Sequence, residues 1–366
     1  MNTTAAPDPA DRPEPDRPTP PSTPGAQATL YYSEPGVRLY LGDAAAVIAT
    51  LPADSVDCVV TSPPYWRLRS YGDPDPDLSH IGDQPPAVGT DLYGLEPTPA
   101  AYLDRLRMVF TEIARVLVPT GTVWLNLGDS YSTNSDGNWC ARPAQPRQPR
   151  YPPRADPPYE NLLGMPWRVA FALQADGWIV RSCIVWHTPD AIPVPVTDRL
   201  ATRYELLFLL VRKARYYFNL DAIRQPYTGD RAISRRAHLG GTRPHAASSP
   251  RTPWPADQAA APRGRNPGDV WTSPARPACR GYPPAPPIDL PLRAIAAGCP
   301  PGGTVLDPFS GAGTVGLAAR QLGRAFVGID RNGTYHHLSK RALLQQMQHS
   351  AESEDGGKVR NDWRSG

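Results

Sequence analysis

Two short stretches carry residues whose types and spacing could do chemistry. The first, Thr61-Ser62-Pro63-Pro64-Tyr65-Trp66, follows directly on the apolar run Val56–Val60. Ser62 offers a hydroxyl oxygen and Pro63 a backbone carbonyl, and the paired prolines lock φ and carry no N–H to compete for it. Two acceptors in fixed directions suit the two in-plane protons of an exocyclic amine on cytosine or adenine. Accepting them returns electron density to nitrogen and aligns it for in-line attack on an electrophilic carbon. Tyr65 adds an aromatic face on which an extruded base can stack. A rigid surface turn would read the same way, and further Pro-Pro pairs begin at Pro85, Pro152, Pro157, Pro283 and Pro286. Only the pair at Pro63 stands between an apolar strand and two aromatics.

The second stretch is Asp307-Pro308-Phe309-Ser310-Gly311-Ala312-Gly313-Thr314-Val315-Gly316. It places G-x-G-x-x-G after a strand and at the start of a helix, where glycines let the backbone turn tightly and approach a nucleotide-like ligand. Asp330 ends the next strand, where a carboxylate can accept hydrogen bonds from ribose hydroxyls. The loop by itself leaves a dinucleotide such as NAD open. Asp307 points elsewhere: a carboxylate there would repel a pyrophosphate but suit the positive end of an amino-acid-like zwitterion. That favours S-adenosylmethionine.

The elements that must position these stretches alternate. Strands are expected at Val37–Leu41, Val56–Val60, Thr122–Leu127, Trp178–Val185, Tyr204–Val211, Thr304–Leu306 and Ala325–Ile329. Helices are expected at Ala44–Leu51, Pro99–Leu117, Met165–Ala175, Thr314–Leu322 and Thr334–Met347. In the second of these helices Leu103, Leu106, Val109, Phe110, Ile113 and Val116–Leu117 recur near a 3.6-residue period. Such alternation predicts an α/β fold with a doubly wound, mostly parallel, seven-stranded sheet. Only two strands follow the start of the cofactor half at Thr304, so the sheet must be completed by strands from the beginning of the chain. The cofactor half is C-terminal, the catalytic half N-terminal, and the fold circularly permuted.

Composition sets the bounds. With 366 residues, 40% of them apolar, the chain can build one large domain with insertions or two of ordinary size. Its 47 prolines are about two and a half times the usual ~5%, so many segments must be loops. Five cysteines (Cys58, Cys140, Cys183, Cys279, Cys299) without a C-x-x-C pair predict a reduced, cytoplasmic protein with no disulfide framework and no metal site. The longest apolar run, Leu206–Val211, is too short to cross a membrane. Residues 1–28 and 351–366 are expected to be disordered tails. Residues 29–223 would form the catalytic half and 281–350 the cofactor half. Between them, Arg224–Arg280 is an irregular insert with ten arginines, three aspartates and no Lys or Glu, a net +7 in a chain totalling +3. Four more arginines and no acid lie between Ala141 and Ala155. A basic insert on an otherwise acidic scaffold fits a phosphate-contacting, target-recognising surface, or a solvated Pro/Arg loop. Trp254 and Trp271 within it are expected to pack rather than stack on a ligand.

With both motifs in place, the sequence resembles the amino-methyltransferases of DNA, in the permuted group whose catalytic tetrapeptide precedes a D-P-F-x-G-x-G-T cofactor motif. The likeness extends to Gly42-Asp43, Arg115–Leu117, Asn126–Tyr131, Asn161–Gly164 and Gly177–Trp186. It implies that Asp307, Phe309, Ser310, Gly311, Gly313, Thr314 and Asp330 hold S-adenosylmethionine, that Asp43 closes the adenine side, and that Ser62, Pro63, Pro64 and Tyr65 receive a base flipped from double-stranded DNA. A serine before Pro-Pro is more typical of cytosine-N4 enzymes in this family, with adenine-N6 the alternative; a cognate restriction endonuclease is the partner such enzymes admit. Cytosine-C5 chemistry needs a cysteine on a Pro-Cys loop, and Cys58 lies inside a strand. Thr188 stands where the family usually has lysine, and Cys279–Pro283 replaces a His-Phe-Ala-like segment. An NAD-linked oxidoreductase would leave Ser62–Tyr65 unexplained. A dead scaffold that only binds DNA would not need Ser62, Asp307 and Gly311 intact. Oligomeric state is not encoded in any of these features.

Overall fold

The computed structural model describes residues 28–66, 92–132, 161–190, 196–226, 264–274 and 286–355. The expected N-terminal tail (Ala28 excepted), the basic stretch at 141–155, Trp254 and Cys279–Pro283 lie outside them.

Among the described residues nine strands form one sheet: β1 (Thr29–Glu34), β2 (Val37–Leu41), β3 (Val56–Thr61), β4 (Leu117–Leu127), β5 (Ile179–His187), β6 (Tyr204–Val211), β7 (Val270–Thr272), β8 (Thr304–Asp307) and β9 (Ala325–Asp330). Their order is β1-β2-β9-β8-β3-β4-β6-β5-β7. Pairing is parallel from β2 through β9, β8 and β3 to β4, and again between β5 and β7. It is antiparallel for β1–β2, β4–β6 and β6–β5. The halves therefore interleave as the permuted order demands, with β8 and β9 inserted between β2 and β3.

The expected count of seven strands is corrected to nine, and both additions are edge strands. β1 forms a hairpin with β2 across Pro35-Gly36, where Gly36 has φ +79°. It is mostly solvent-facing, so its alternation carries little apolar signal. β7 has only three residues, too few to show a period, and it comes from the insert expected to be irregular. There Val185 N–H donates to the Asp269 carbonyl (2.8 Å) and Trp186 Nε1 to the Ser273 carbonyl (3.2 Å). Trp271 is 3% exposed and stacks on Trp124 with ring centres 6.0 Å apart, so it packs as expected.

Among the described residues six α-helices cover the sheet, one more than expected: α1 (Ala44–Thr50), α2 (Pro99–Val116), α3 (Met165–Ala175), the unexpected α4 (Asp289–Gly298), α5 (Thr314–Gln321) and α6 (Gly333–Asp355). α6 runs further than expected, past the residue 351 at which the tail was placed. In α2, Thr98 caps the first turn by accepting from Ala101 N–H (3.1 Å), and Pro99 opens it. Its buried face is Tyr102, Leu106, Val109, Phe110, Ile113 and Val116. Arg115 in its last turn reaches the Ile48 and Leu51 carbonyls (2.8 Å each), closing the C-terminus of α1. One apolar layer joins α1, α2 and α3 to the sheet through Val59, Leu125, Leu306 and Ile329. The other joins α4 and α5 through Cys58, Trp124, Val305 and Phe326.

The second layer has a close approach at Gly298. A methyl there would meet the Trp124 indole nitrogen and the Thr122 hydroxyl, and that hydroxyl donates to the Gly298 carbonyl (2.9 Å). Gly298→Ala should therefore destabilise the fold by roughly 1–3 kcal/mol through overpacking, against a helix-propensity gain of about 1. Thermal unfolding should show a lower Tm, by about 2–4 °C per kcal/mol; an unchanged or higher Tm would contradict the packing described.

Candidate active site

The site lies where β3, β4, β8 and β9 end and β6 begins, all on one edge of the sheet. Thr61 and Asp307, the last residues of β3 and β8, meet there: Thr61 Oγ1 donates to Asp307 Oδ1 at 2.7 Å, both side chains buried. Phe309 N–H donates to the same oxygen (3.1 Å), leaving Oδ2 without a donor among the described residues. Burial pushes the Asp307 carboxyl up to about 7. The Thr61 and Phe309 donors pull it down, and the nearby Asp330 adds to the rise.

The glycine loop follows. Gly311 has φ +47° and open space where a Cβ would point, so a ligand can come against the backbone. Gly313 has φ +83°, and a Cβ there would run into Ser339 of α6. Gly316 packs helix α5 against the Phe326 ring. Asp330 accepts Gly311 N–H on Oδ2 (2.9 Å) and Asn332 N–H on Oδ1 (2.8 Å). The carboxylate thus ties the loop to β9 while each oxygen keeps a second lone pair. Burial raises Asp330 and lowers the neighbouring His336, whose Nε2 donates to the Tyr40 carbonyl (2.8 Å). The Ser310 hydroxyl is buried with no partner among the described residues, an orphan that a bound polar ligand would satisfy. Thr314 opens α5 and is buried.

Asp43 caps α1 through Ala45 and Ala46 N–H (3.1 and 3.3 Å) and faces Arg105 (3.8 Å) and Arg331 (3.9 Å). Sequence reasoning missed the segment beside it. Tyr93 packs edge-on against Phe309 (5.0 Å) and lies under the Arg105 guanidinium (3.8 Å). Arg105 also pairs with Glu96 (3.3 Å), whose other oxygen accepts Gly94 N–H (2.9 Å). Burial still raises the Glu96 carboxyl above its usual range.

At the Pro-Pro loop, the Pro64 carbonyl is taken by the Tyr102 hydroxyl (2.9 Å), while that of Pro63 accepts from no described residue. Gly94 makes the loop's turn possible, since a Cβ there would press on the Tyr65 and Pro64 carbonyls. Trp66 is anchored by Nε1 to the Glu96 carbonyl (3.0 Å). Ser62 Oγ lies 3.0 Å from Tyr65 Oη, which donates to Glu205 Oε2 (2.6 Å). Asn126 Nδ2 donates to both Tyr65 Oη and Glu205 Oε2 (2.7 Å each). Tyr65 is 4% exposed. The open stacking face expected of it is covered in this conformation, and its hydroxyl is bound inward.

Asn126 and Glu205 had no assigned role in the sequence. The available signal was a polar residue within each apolar strand run, the informative exception in a buried strand. The structure thus brings Ser62, Pro63, Asp307, Gly311 and Asp330 to one edge. It assigns Pro64, Tyr65 and Asp43 contacts within the protein.

The sequence pattern of the N6/N4 DNA methylase family matches residues 56–341. The chain is 36% identical over 331 residues to the type II methyltransferase M.Cfr9I of Citrobacter freundii, covering 88% of this chain and 94% of that one. It is 37% identical over 315 residues to M.XycI of Xanthomonas campestris pv. cyanopsidis, covering 85% and 89%. Among solved structures, the cytosine-N4-specific PvuII DNA methyltransferase superposes with a TM-score of 0.55 at 14% identity, over 89% of this chain and 96% of that one, a likeness of fold. Matched this way along most of its length, with its Ser-Pro-Pro-Tyr and glycine loops on one sheet edge, the chain belongs to the N6/N4 DNA methylase family.

Proposed function

We propose that the chain transfers a methyl group from S-adenosylmethionine to the exocyclic N4 of cytosine in double-stranded DNA, at a base turned out of the stack. The observation that supports this reading is the Thr61–Asp307 contact, which joins the residue just before Ser62 and Pro63 to the first residue of the Asp307–Gly316 stretch. Asp307, Phe309, Ser310, Gly311, Gly313, Thr314 and Asp330 would hold the cofactor, with Asp43 and Tyr93 closing its wall. The cofactor supplies a methyl made electrophilic by its sulfonium. Ser62 Oγ and the Pro63 carbonyl accept the two amine protons and turn the nitrogen lone pair toward that carbon. When bound, the cofactor would supply the methyl carbon to the amine nitrogen and keep the S–C electron pair on sulfur, and the surplus amine proton would pass to solvent. The serine at position 62 supports cytosine over adenine, and the type II names of the relatives support a role beside a restriction endonuclease. The arginine-rich insert, attached to the sheet through β7, would contact the DNA phosphates.

Purified protein incubated with methyl-labelled cofactor and mixed-sequence duplex should place label in N4-methylcytosine. Ser62→Ala should keep cofactor affinity and lose about 10²–10³ in turnover. Label in N6-methyladenine would correct the base, and undiminished turnover in the variant would remove Ser62 from the mechanism.

Asp307→Asn separates stability from binding. The ordinary carboxyl value of 3.8 rises to about 7 in the fold. The neutral form is therefore favoured, and ionised Asp307 weakens the fold increasingly between those pH values, on the order of 4 kcal/mol in full. The carboxamide keeps the acceptor for Thr61 and Phe309 without the charge. The variant should melt higher than wild type at pH 8, with the gap closing toward pH 4, while cofactor Kd measured calorimetrically at pH 8 rises about tenfold or more. Unchanged affinity would detach Asp307 from the cofactor's positive end.

For the insert, replacing Arg231, Arg235, Arg236 and Arg243 with Gln should flatten the salt dependence of DNA binding, lowering the slope of log K against log salt by about 0.9 per lost phosphate contact. A slope equal to wild type would exclude the insert from phosphate contact.

A further inference from the structure

The hydrogen bonds behind Ser62 have a direction. Tyr65 Oη has one proton and two possible acceptors, Glu205 Oε2 at 2.6 Å and Ser62 Oγ at 3.0 Å. The carboxylate wins it, because a hydrogen bond to an ionised acceptor is roughly twice as strong as a neutral one. Asn126 reinforces the choice. Its two amide protons go to Tyr65 Oη and to Glu205 Oε2 (2.7 Å each), and the reversed amide would set its oxygen against that carboxylate. Tyr65 Oη, its own proton committed to Glu205, can only accept from Ser62. The Ser62 hydroxyl proton therefore points inward, and its lone pairs are left for the substrate. Reversal would turn the Ser62 proton outward, where it would bind the amine lone pair that must attack the methyl group.

We infer that Glu205, acting through Tyr65 and Asn126, is a positioning residue that fixes Ser62 as a hydrogen-bond acceptor toward the target amine. This rests on the role proposed for Ser62. An amide at position 205 can donate as well as accept, so Glu205→Gln frees Tyr65 to donate to Ser62. Glu205→Gln should lower kcat by about tenfold to a hundredfold, within the range for a misdirected polar contact in an active site, with cofactor Kd unchanged.

The decisive measurement is the double variant. Tyr65→Phe removes the wrong-way donor and keeps the ring, so Glu205→Gln/Tyr65→Phe should turn over faster than Glu205→Gln alone. A role in mere packing predicts the reverse, a double variant no faster than the single. If Glu205→Gln fails to bind cofactor, the same pair of measurements is made on Glu205→Asp, whose shorter stem withdraws the acceptor; the same rise on adding Tyr65→Phe is expected. Wild-type kcat in the single variant, or a double variant no faster than the single, overturns the inference. With Ser62→Ala inactive, either result leaves the Ser62 reading standing. Full turnover in Ser62→Ala removes that reading and this inference together.

Discussion

A single buried hydrogen bond, from the Thr61 hydroxyl to the Asp307 carboxyl, aligns everything the site needs. It joins residues 246 positions apart. The strands that carry them, β3 and β8, are paired only at Cys58–Val305 and Val59–Leu306, short of their ends. Beyond that pairing the side-chain bond joins the last residues of the two strands. It also gives a buried carboxyl a donor, without which desolvation would be far more costly. The Pro-Pro loop leaves from one end of this bond and the glycine loop from the other, so a small shift there would move the two loops apart.

The glycine-loop side of the site is built from carboxylates that are already hydrogen-bonded. Asp307 accepts from Phe309, Asp330 from Gly311 and Asn332, Asp43 from Ala45 and Ala46, and Glu96 from Gly94. Each bond is to a backbone N–H: those to Phe309, Asn332, Ala45, Ala46 and Gly94 lie within three residues and stiffen their own turns, while Asp330 reaches across 19 positions to Gly311 and ties the glycine loop to β9. The negative charges also oppose one another: the proximity of Asp330 adds to the raised pKa of Asp307. A cationic ligand would relieve that opposition, while a pyrophosphate would worsen it. Asp307 and Asp330 together, rather than Asp307 alone, favour a zwitterionic ligand over a pyrophosphate.

The legible parts of the chain were those in which short-range pattern and long-range packing agree. The seven central strands are apolar runs bounded by turn residues. The glycine loop announces itself because its spacing, its flanking strand and Asp330 are all local. What escaped were helix α4, which was not among the five expected helices, and features created only by residues distant in sequence. β1 and β7 are held by edge pairing rather than by an apolar face, and a three-residue strand has no period. β4 begins at Leu117 rather than Thr122, across Pro119, with a register shift against β3. Tyr93, Glu96 and Arg105 share a cluster through one loop and one helix face, with no motif between them. Asn126 and Glu205 were visible as polar exceptions in apolar strands, but their pairing depends on β4 lying beside β6.

That neighbour relation has a geometric consequence. In an open parallel sheet, ligands gather at the carboxyl ends of the strands. β6 runs antiparallel to β4, with Leu127 opposite Leu206 and Asn126 opposite Leu207. The residue entering β6 therefore lies at the edge where β3 and β4 finish. This reversal lets Glu205, from the start of a strand, reach Tyr65 and Asn126 across 140 and 79 sequence positions. A parallel strand in that place would have put its entering residue at the opposite edge. The antiparallel turn of the sheet is thus a condition of the site as well as a feature of topology: it brings a carboxylate behind Ser62 and, with it, a defined direction for the hydroxyl proton.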